Sequence, residues 1–432
     1  MSFSQKFLGL LLVSILLFGC MQSPVANQTA PPTATEVSAS ITPTATAVSD
    51  PSVSAVQPTG AKPDAITLDG PESLLTSTAM DPQGRFAYVT TWDGKSHLEP
   101  DQTDTYYHPA FLKSIRLSDF SENQRISFDR RIAGNPSSIV TDPEGKFIYL
   151  QTQQGQVVKI DASDFGKQTS IGLQPGFLVV EGSVTTGPGA VTDPQGKYLY
   201  VSGRAGTNTQ EIGGRSFSSL IEGGTGPVEG ADGVDFFGLY RIDLSEFKNA
   251  GFLPMLNDVQ GLSLRMWMDP QGRFAYTAYS NPKHLVLARI RLQEFTLDKT
   301  IELSQTEGED IDGALDSKGK YGYFTLSSGK LHQVDLADMT LKTSKDLPEG
   351  FRNGPVLLDK QYAYVGGEEG QIARMRLADA TWVEPVSIEL PETNGEYARV
   401  AQSATWDPSG RTAYWGFGQY EGKGQIVKTP LG

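Results

Sequence analysis

One cysteine, Cys20, is present in 432 residues, so neither an intramolecular disulfide nor a thiolate metal cluster can form within the chain. Positive charge is also short: 36 lysines and arginines stand against 50 aspartates and glutamates, a net charge of −14. That balance argues against nucleic acid as a partner, because phosphate binding needs a basic face to displace counterions. There are four histidines, His97, His108, His284 and His332, and they show neither a metal spacing nor a nucleophile beside them. The one grouping with ligand chemistry is His97 and His108 in the same loop as Asp101 and Asp104. No Gly-x-Ser-x-Gly elbow, phosphate loop or dinucleotide fingerprint falls in a matching strand-turn-helix context. After residue 60 no helical period of useful length occurs. Apolar runs are short too, and the longest, residues 7–18, is too short to cross a bilayer of roughly 30 Å as a helix.

What the chain does contain begins with that run. One basic residue, Lys6, precedes it and Gly19-Cys20 follows, the layout of a signal peptide. Leu17-Phe18-Gly19-Cys20 resembles the lipobox of bacterial lipoproteins. The resemblance implies that residues 1–19 are removed and that Cys20 carries lipid, anchoring an exported chain to the outer side of a bacterial membrane in the cell envelope. Residues 20–63 are rich in Thr, Pro, Ala and Ser, as in Thr29-Ala-Pro-Pro-Thr-Ala-Thr35, and bury too little apolar area to offset chain entropy. They are expected to form a disordered stalk.

Residues 64–432 repeat one phrase seven times: Asp81-Pro-Gln-Gly84-Arg-Phe-Ala-Tyr88, then the turns led by Asp142, Asp193, Asp269, Asp316, Asp359 and Asp407. The copy at Asp359 lacks the glycine and is two residues shorter. Asp, Pro and Gly at these offsets are the preferences of a type I turn closed by a left-handed residue, so each phrase marks a strand reversal. Apolar stretches flank it, and segments such as Gln156-Val-Val-Lys-Ile-Asp161 and Lys299-Thr-Ile-Glu-Leu303 supply a third and a fourth strand. Four strands per repeat make a propeller blade, and seven repeats predict an all-β, seven-bladed β-propeller. The intervals between successive motif aspartates are 61, 51, 76, 47, 43 and 48 residues, which puts insertions in the first and third blades. The last repeat ends one strand short at Gln425-Ile-Val-Lys-Thr-Pro430, and Ala65-Ile-Thr-Leu-Asp69 is expected to complete that blade and close the circle.

The Asp-Pro-x-Gly-x-x-x-Tyr phrase followed by Ile/Val-x-Leu-x-x-Phe resembles bacterial YVTN-type and lactonase-like seven-bladed propellers over residues 65–432. The resemblance implies that one face carries the uniform turns and that the other, bearing the second-to-third-strand loops and the blade connections, binds ligands. Fold alone assigns no activity.

Candidate site residues follow from that layout. The first-blade insertion holds Tyr106 and Tyr107, and the third-blade loop, residues 203–236, holds Phe217. Four residues before each motif aspartate, at the start of the innermost strand, stand Ser77, Ser138, Gly189, Arg265, Asp312, Pro355 and Ser403. Only Arg265 and Asp312 are charged, and they come from adjacent blades. With Glu307, Glu309 and Asp310 upstream, they outline a polar pocket for a ligand or a hard cation, Ca2+ being the ion these carboxylates would suit; no cofactor is otherwise expected. The plainer alternative is a structural ion pair beside a solvated acidic loop. The repeated tyrosines, Tyr88 to Tyr414, are expected to fill the space between sheets rather than react. The expected function is a monomeric, membrane-anchored binding or scaffolding module for a protein, peptide or glycan. The alternative is a lactonase-like hydrolase, with Arg265 and one of Glu309, Asp310 or Asp312 as its reactive pair.

Overall fold

The chain divides into residues 1–59 and 60–432. The computed structural model describes residues 65–68, 74–92, 97–98, 106–107, 110–128, 136–152, 155–173, 189–206, 235–257, 263–281, 284–306, 309–392, 399–418 and 424–431. Cys20 and the residues expected to form the signal and the stalk lie outside them.

Among the described residues every regular element is a strand, and seven four-stranded antiparallel sheets form the blades of a β-propeller. Blades 1 to 6 span residues 74–128, 136–172, 190–257, 263–304, 311–346 and 356–387. Blade 7 takes three strands from residues 400–430 and its outermost from Ala65–Thr67. The register there is Ala65 against Val427, Ile66 against Ile426 and Thr67 against Gln425, so the expected closure holds. The first strands of successive blades touch one another around a closed circuit that returns from blade 7 to blade 1.

The turns explain why the sequence folds this way locally. In each full-length turn the glycine N–H donates to the carbonyl of the motif aspartate at 2.7–3.0 Å, and the glycine sits at φ between 64° and 69°. The aspartate side chain accepts the backbone N–H groups that follow, as Asp193 does from Lys197 (2.8 Å) and Tyr198 (2.9 Å). Glycine serves a second purpose. A Cβ at Gly145 would meet Pro82 at 3.2 Å, at Gly196 Pro143 at 3.3 Å, at Gly272 Pro194 at 2.8 Å, at Gly319 Pro270 at 3.3 Å and at Gly84 Pro408 at 3.2 Å. Five of the seven turns, those of blades 1 to 5, therefore rest on the proline of the turn before them, blade 1 on that of blade 7.

The buried apolar residues fall into seven clusters, one at each seam between adjacent blades. The motif tyrosine of one blade meets the third-to-fourth-strand turn of the next, or in blade 2 the start of the fourth strand: Tyr88 meets Phe165 (6.4 Å between ring centroids), Tyr149 meets Phe247 (6.2 Å), Tyr200 meets Phe295 (6.1 Å) and Tyr414 meets Phe120 (6.1 Å). Tyr276 and Met339 share one cluster, as do Tyr323 and Ala380. Phe120, Phe247, Phe295, Met339 and Ala380 all have φ of 48–56°. Left-handed backbone strains a non-glycine residue by roughly 1–3 kcal/mol, and inter-blade packing holds these five in place.

The insertions sit where the intervals placed them, with more regular structure than loops. In blade 1 His97–Leu98 and Tyr106–Tyr107 pair as a small separate hairpin, His97 against Tyr107 and Leu98 against Tyr106. In blade 3 the second and third strands run on to Gly206 and from Asp235, so much of the insertion stem is ladder.

Candidate functional site

The seven positions counted from the motif aspartates are structurally equivalent. Ser77, Ser138, Arg265, Asp312 and Ser403 pair across to Thr90, Gln151, Ala278, Thr325 and Gly416 on the second strands. Gly189 and Pro355 accept the corresponding backbone bonds from Ser202 (2.8 Å) and Gly366 (3.0 Å). In blades 1, 2, 4 and 7 the register shifts just before this position, whereas blade 5 runs into Asp312 without a shift. A bulge bends its strand and re-aims the next side chain, so Arg265 and Asp312 reach the same seam from differently shaped strands.

Arg265 Nη1 lies 3.0 Å from Asp312 Oδ2, and the two side chains are 4% and 7% exposed. Asp312 Oδ1 accepts a 2.6 Å bond from Gly313 N, while Oδ2 faces Arg265 with no aligned donor. Burial dominates this carboxyl and pushes it up to about 7 despite the guanidinium, Gly313 N–H lowering it and Asp310 raising it further. The charged pair joins blades 4 and 5 at the inner strand. Trp267 Nε1 reinforces that seam by donating to Gly313 O at 2.7 Å.

Glu309 and Asp310 turn elsewhere. Buried Glu309 accepts from Ser304 Oγ (2.9 Å), Ser327 Oγ (2.9 Å) and Ser328 N (2.5 Å), which pins the approach to blade 5. Asp310 accepts from Asn353 Nδ2 at 2.7 Å, tying the same segment toward blade 6. Three carboxylates adjacent in sequence thus hold three different surroundings. Ser304, Ser327, Ser328 and Asn353 carried no signal in the sequence, since their partners are 5 to 43 residues away along irregular segments. Further out in the blade 4–5 seam, buried His332 places Nε2 3.1 Å from Leu303 O, and burial lowers its pKa. Among the described residues no three acidic, histidine or cysteine side chains converge as metal ligands.

Tyr106 and Tyr107 lie in the blade 1 hairpin as strand residues, with their side chains outside the described set. His108, Asp101, Asp104, Phe217 and Glu307 also lie outside it. The motif tyrosines are buried in the seams, and burial raises the phenols of Tyr88, Tyr149, Tyr200, Tyr276, Tyr323 and Tyr364, that of Tyr276 to about 12. No protein-family model matches the chain, and no curated protein matches it.

Proposed function

We propose that this chain is a lipid-anchored binding or scaffolding module of a bacterial cell envelope, engaging a protein, peptide or glycan through the face opposite the Asp-led turns. The observation that carries the reading is the inequality of the two faces: compact turns, most of them seated on one another, occupy one, and the described stems of both large insertions, at His97–Leu98 with Tyr106–Tyr107 and at Gly206 with Asp235, lie toward the other. Loops set on a rigid framework are where binding residues concentrate. The lipobox-like Leu17-Phe18-Gly19-Cys20 and the likeness to YVTN-type repeats support an exported, anchored protein. Arg265 and Asp312 stand at the inner end of that face as its charged pair, with Tyr106 and Tyr107 as aromatic contacts in the insertion. Glu309 and Asp310, spent on their serine and asparagine partners, are assigned to holding the pocket wall.

Two experiments test this. Affinity capture from cell-envelope extract with the full-length protein should recover a partner that a Tyr106→Ala/Tyr107→Ala variant of unchanged thermal stability loses. Equal recovery by both proteins would remove the insertion face from the reading. Cys20→Ala should move the protein from the membrane to the soluble fraction, and unchanged fractionation would remove the lipid anchor.

A further inference from the structure

In every blade one residue of the third strand pairs with the residue that follows the motif tyrosine. In five blades that residue is Val158, Tyr240, Ala288, Ala373 or Val427, and each packs into the seam with the preceding blade. Blade 1 has Lys113 there, and blade 5 has His332, 4% exposed. Histidine is the one member of this set whose side chain ordinarily titrates near neutral pH.

What His332 holds is a bulge. In blade 4 Leu285 pairs with Ser304 and Val286 with Glu302, so Leu303 stands outside the ladder. Its carbonyl lies 3.1 Å from His332 Nε2 across the seam, and since a carbonyl only accepts, Nε2 carries the hydrogen of the neutral ring. Nδ1 has no hydrogen-bond partner among the described residues. The next residue, Ser304, is tied to blade 5 as well, through Glu309, which also accepts from Ser327 Oγ and Ser328 N. The end of the outer strand of blade 4, where the chain leaves for blade 5, is therefore held by one neutral imidazole and one buried carboxylate.

A proton added to Nδ1 creates a buried donor with no acceptor and a full charge beside Phe324 and Leu303 of the seam cluster. Water relieves both only when the two blades part. Burial accordingly lowers the His332 pKa, against the bond to Leu303 and the carboxylate of Glu309, with Lys330 adding to the shift. Lys330 is itself paired with Asp346 (2.7 Å), and Glu302, beside Leu303, with His284 (2.9 Å). The parted state, with a histidine nearer its ordinary 6.5, takes the proton first, so the closed joint loses stability as pH falls below that value. Asp312 acts in the opposite sense, because burial favours its neutral form and acid supplies it.

We propose that His332 is an acid-operated release for this joint: its protonation frees Leu303 and Ser304 from blade 5 and loosens the blade 4–5 connection. A two-state element biased by one buried imidazole is the physical form of a pH switch. Its consequence for function rests on the reading above that the face carrying the blade connections binds the partner, which would then be gripped at neutral pH and let go in acid. The release itself does not depend on that reading.

The test is hydrogen–deuterium exchange of the full-length chain in detergent at pH 5.5 and 7.5, corrected for the intrinsic pH dependence of amide exchange and needing no ligand. Peptides covering residues 296–306 and 327–335 are expected to exchange at least about fivefold faster at the lower pH in the wild type. In H332Q, whose amide keeps a donor for Leu303 O but takes no proton, the acceleration is expected to stay below about twofold. D312N and H284Q are expected to keep the wild-type response. Circular dichroism melts establish that each variant is folded, and H332A, the residue blades 4 and 6 carry at this position, replaces H332Q if that variant does not fold. No acceleration in the wild type, the same acceleration without the histidine, or an equal acceleration in blades 1 and 2 overturns the proposal. A failure to capture any partner overturns the binding reading and leaves this result standing.

Discussion

Gly145 and Gly410 occupy the same turn position with φ of 67° and 66°, yet alanine would meet different surroundings at each. At Gly145 a Cβ comes within 2.4 Å of Asp81 Oδ1, and at Gly410 it meets open space. Gly410→Ala is expected to destabilise by about 1 kcal/mol through left-handed strain alone. Gly145→Ala should add roughly 1–3 kcal/mol for overpacking. Urea denaturation of the two variants checks this, and equal losses would show that turn stacking contributes nothing. Asp312 makes the second residue-scale case. Its carboxyl titrates near 7 in the folded protein against an ordinary value of 3.8, so the folded state holds the extra proton between those limits. That contribution to stability declines as pH rises from 3.8 to 7 and is level above. Arg265→Met removes the counter-ion, which matters only when Asp312 is ionised. The loss of stability should therefore be larger at pH 8.5 than at pH 5.5 by at least about 1 kcal/mol. A loss independent of pH would mean that Arg265 contributes packing rather than charge.

A blade is held to its neighbours mainly by contacts that recur, and the motif tyrosines show what those contacts need. Tyr88 Oη has no hydrogen-bond partner, whereas Tyr364 Oη donates to Asp359 at 2.8 Å. Tyr88→Phe is expected to change stability by less than about 0.5 kcal/mol and Tyr364→Phe by about 1 kcal/mol, while Tyr88→Ala should cost about 3–5 kcal/mol. Calorimetric or chemical unfolding distinguishes the three, and a Tyr88→Phe loss comparable to that of alanine would contradict a packing role. The same contacts separate what was legible in sequence from what was not. The Asp-Pro-x-Gly turns were readable because their chemistry closes within four residues, and a fixed offset from them found Arg265 and Asp312. Phe120, Phe247 and Phe295 were visible as a repeated letter, but their left-handed backbone was not, because what holds it lies in the preceding blade. Glu309 and Asp310 read as pocket acids for a related reason: Ser304, Ser327 and Asn353, which engage them, follow no period.

At the scale of the molecule the circle closes through three residue pairs and one anchor. Leu68, 1% exposed, packs with Leu75, Val89 and Ile115 of blade 1 and Ile426 of blade 7, and its N–H donates to Gly424 O at 2.9 Å. Leu68→Ala is expected to destabilise by about 2–5 kcal/mol. Deleting residues 60–68 leaves the third strand of blade 7 as an open edge and should lower the thermal midpoint and promote self-association, seen by light scattering. An unchanged midpoint without association would show that three strands suffice for that blade.

Because Ala65–Thr67 pairs with Gln425–Pro430, the earliest part of the body to leave the ribosome must wait for nearly the last. Six sheets can assemble from their own hairpins as they arrive, but the seventh needs both ends of the chain at once. Partners so far apart in sequence meet slowly, and until they do blade 1 has no settled neighbour on one side. The final joining step therefore waits until Gln425–Pro430 has been made, so the ring stays open through the synthesis of every blade before it.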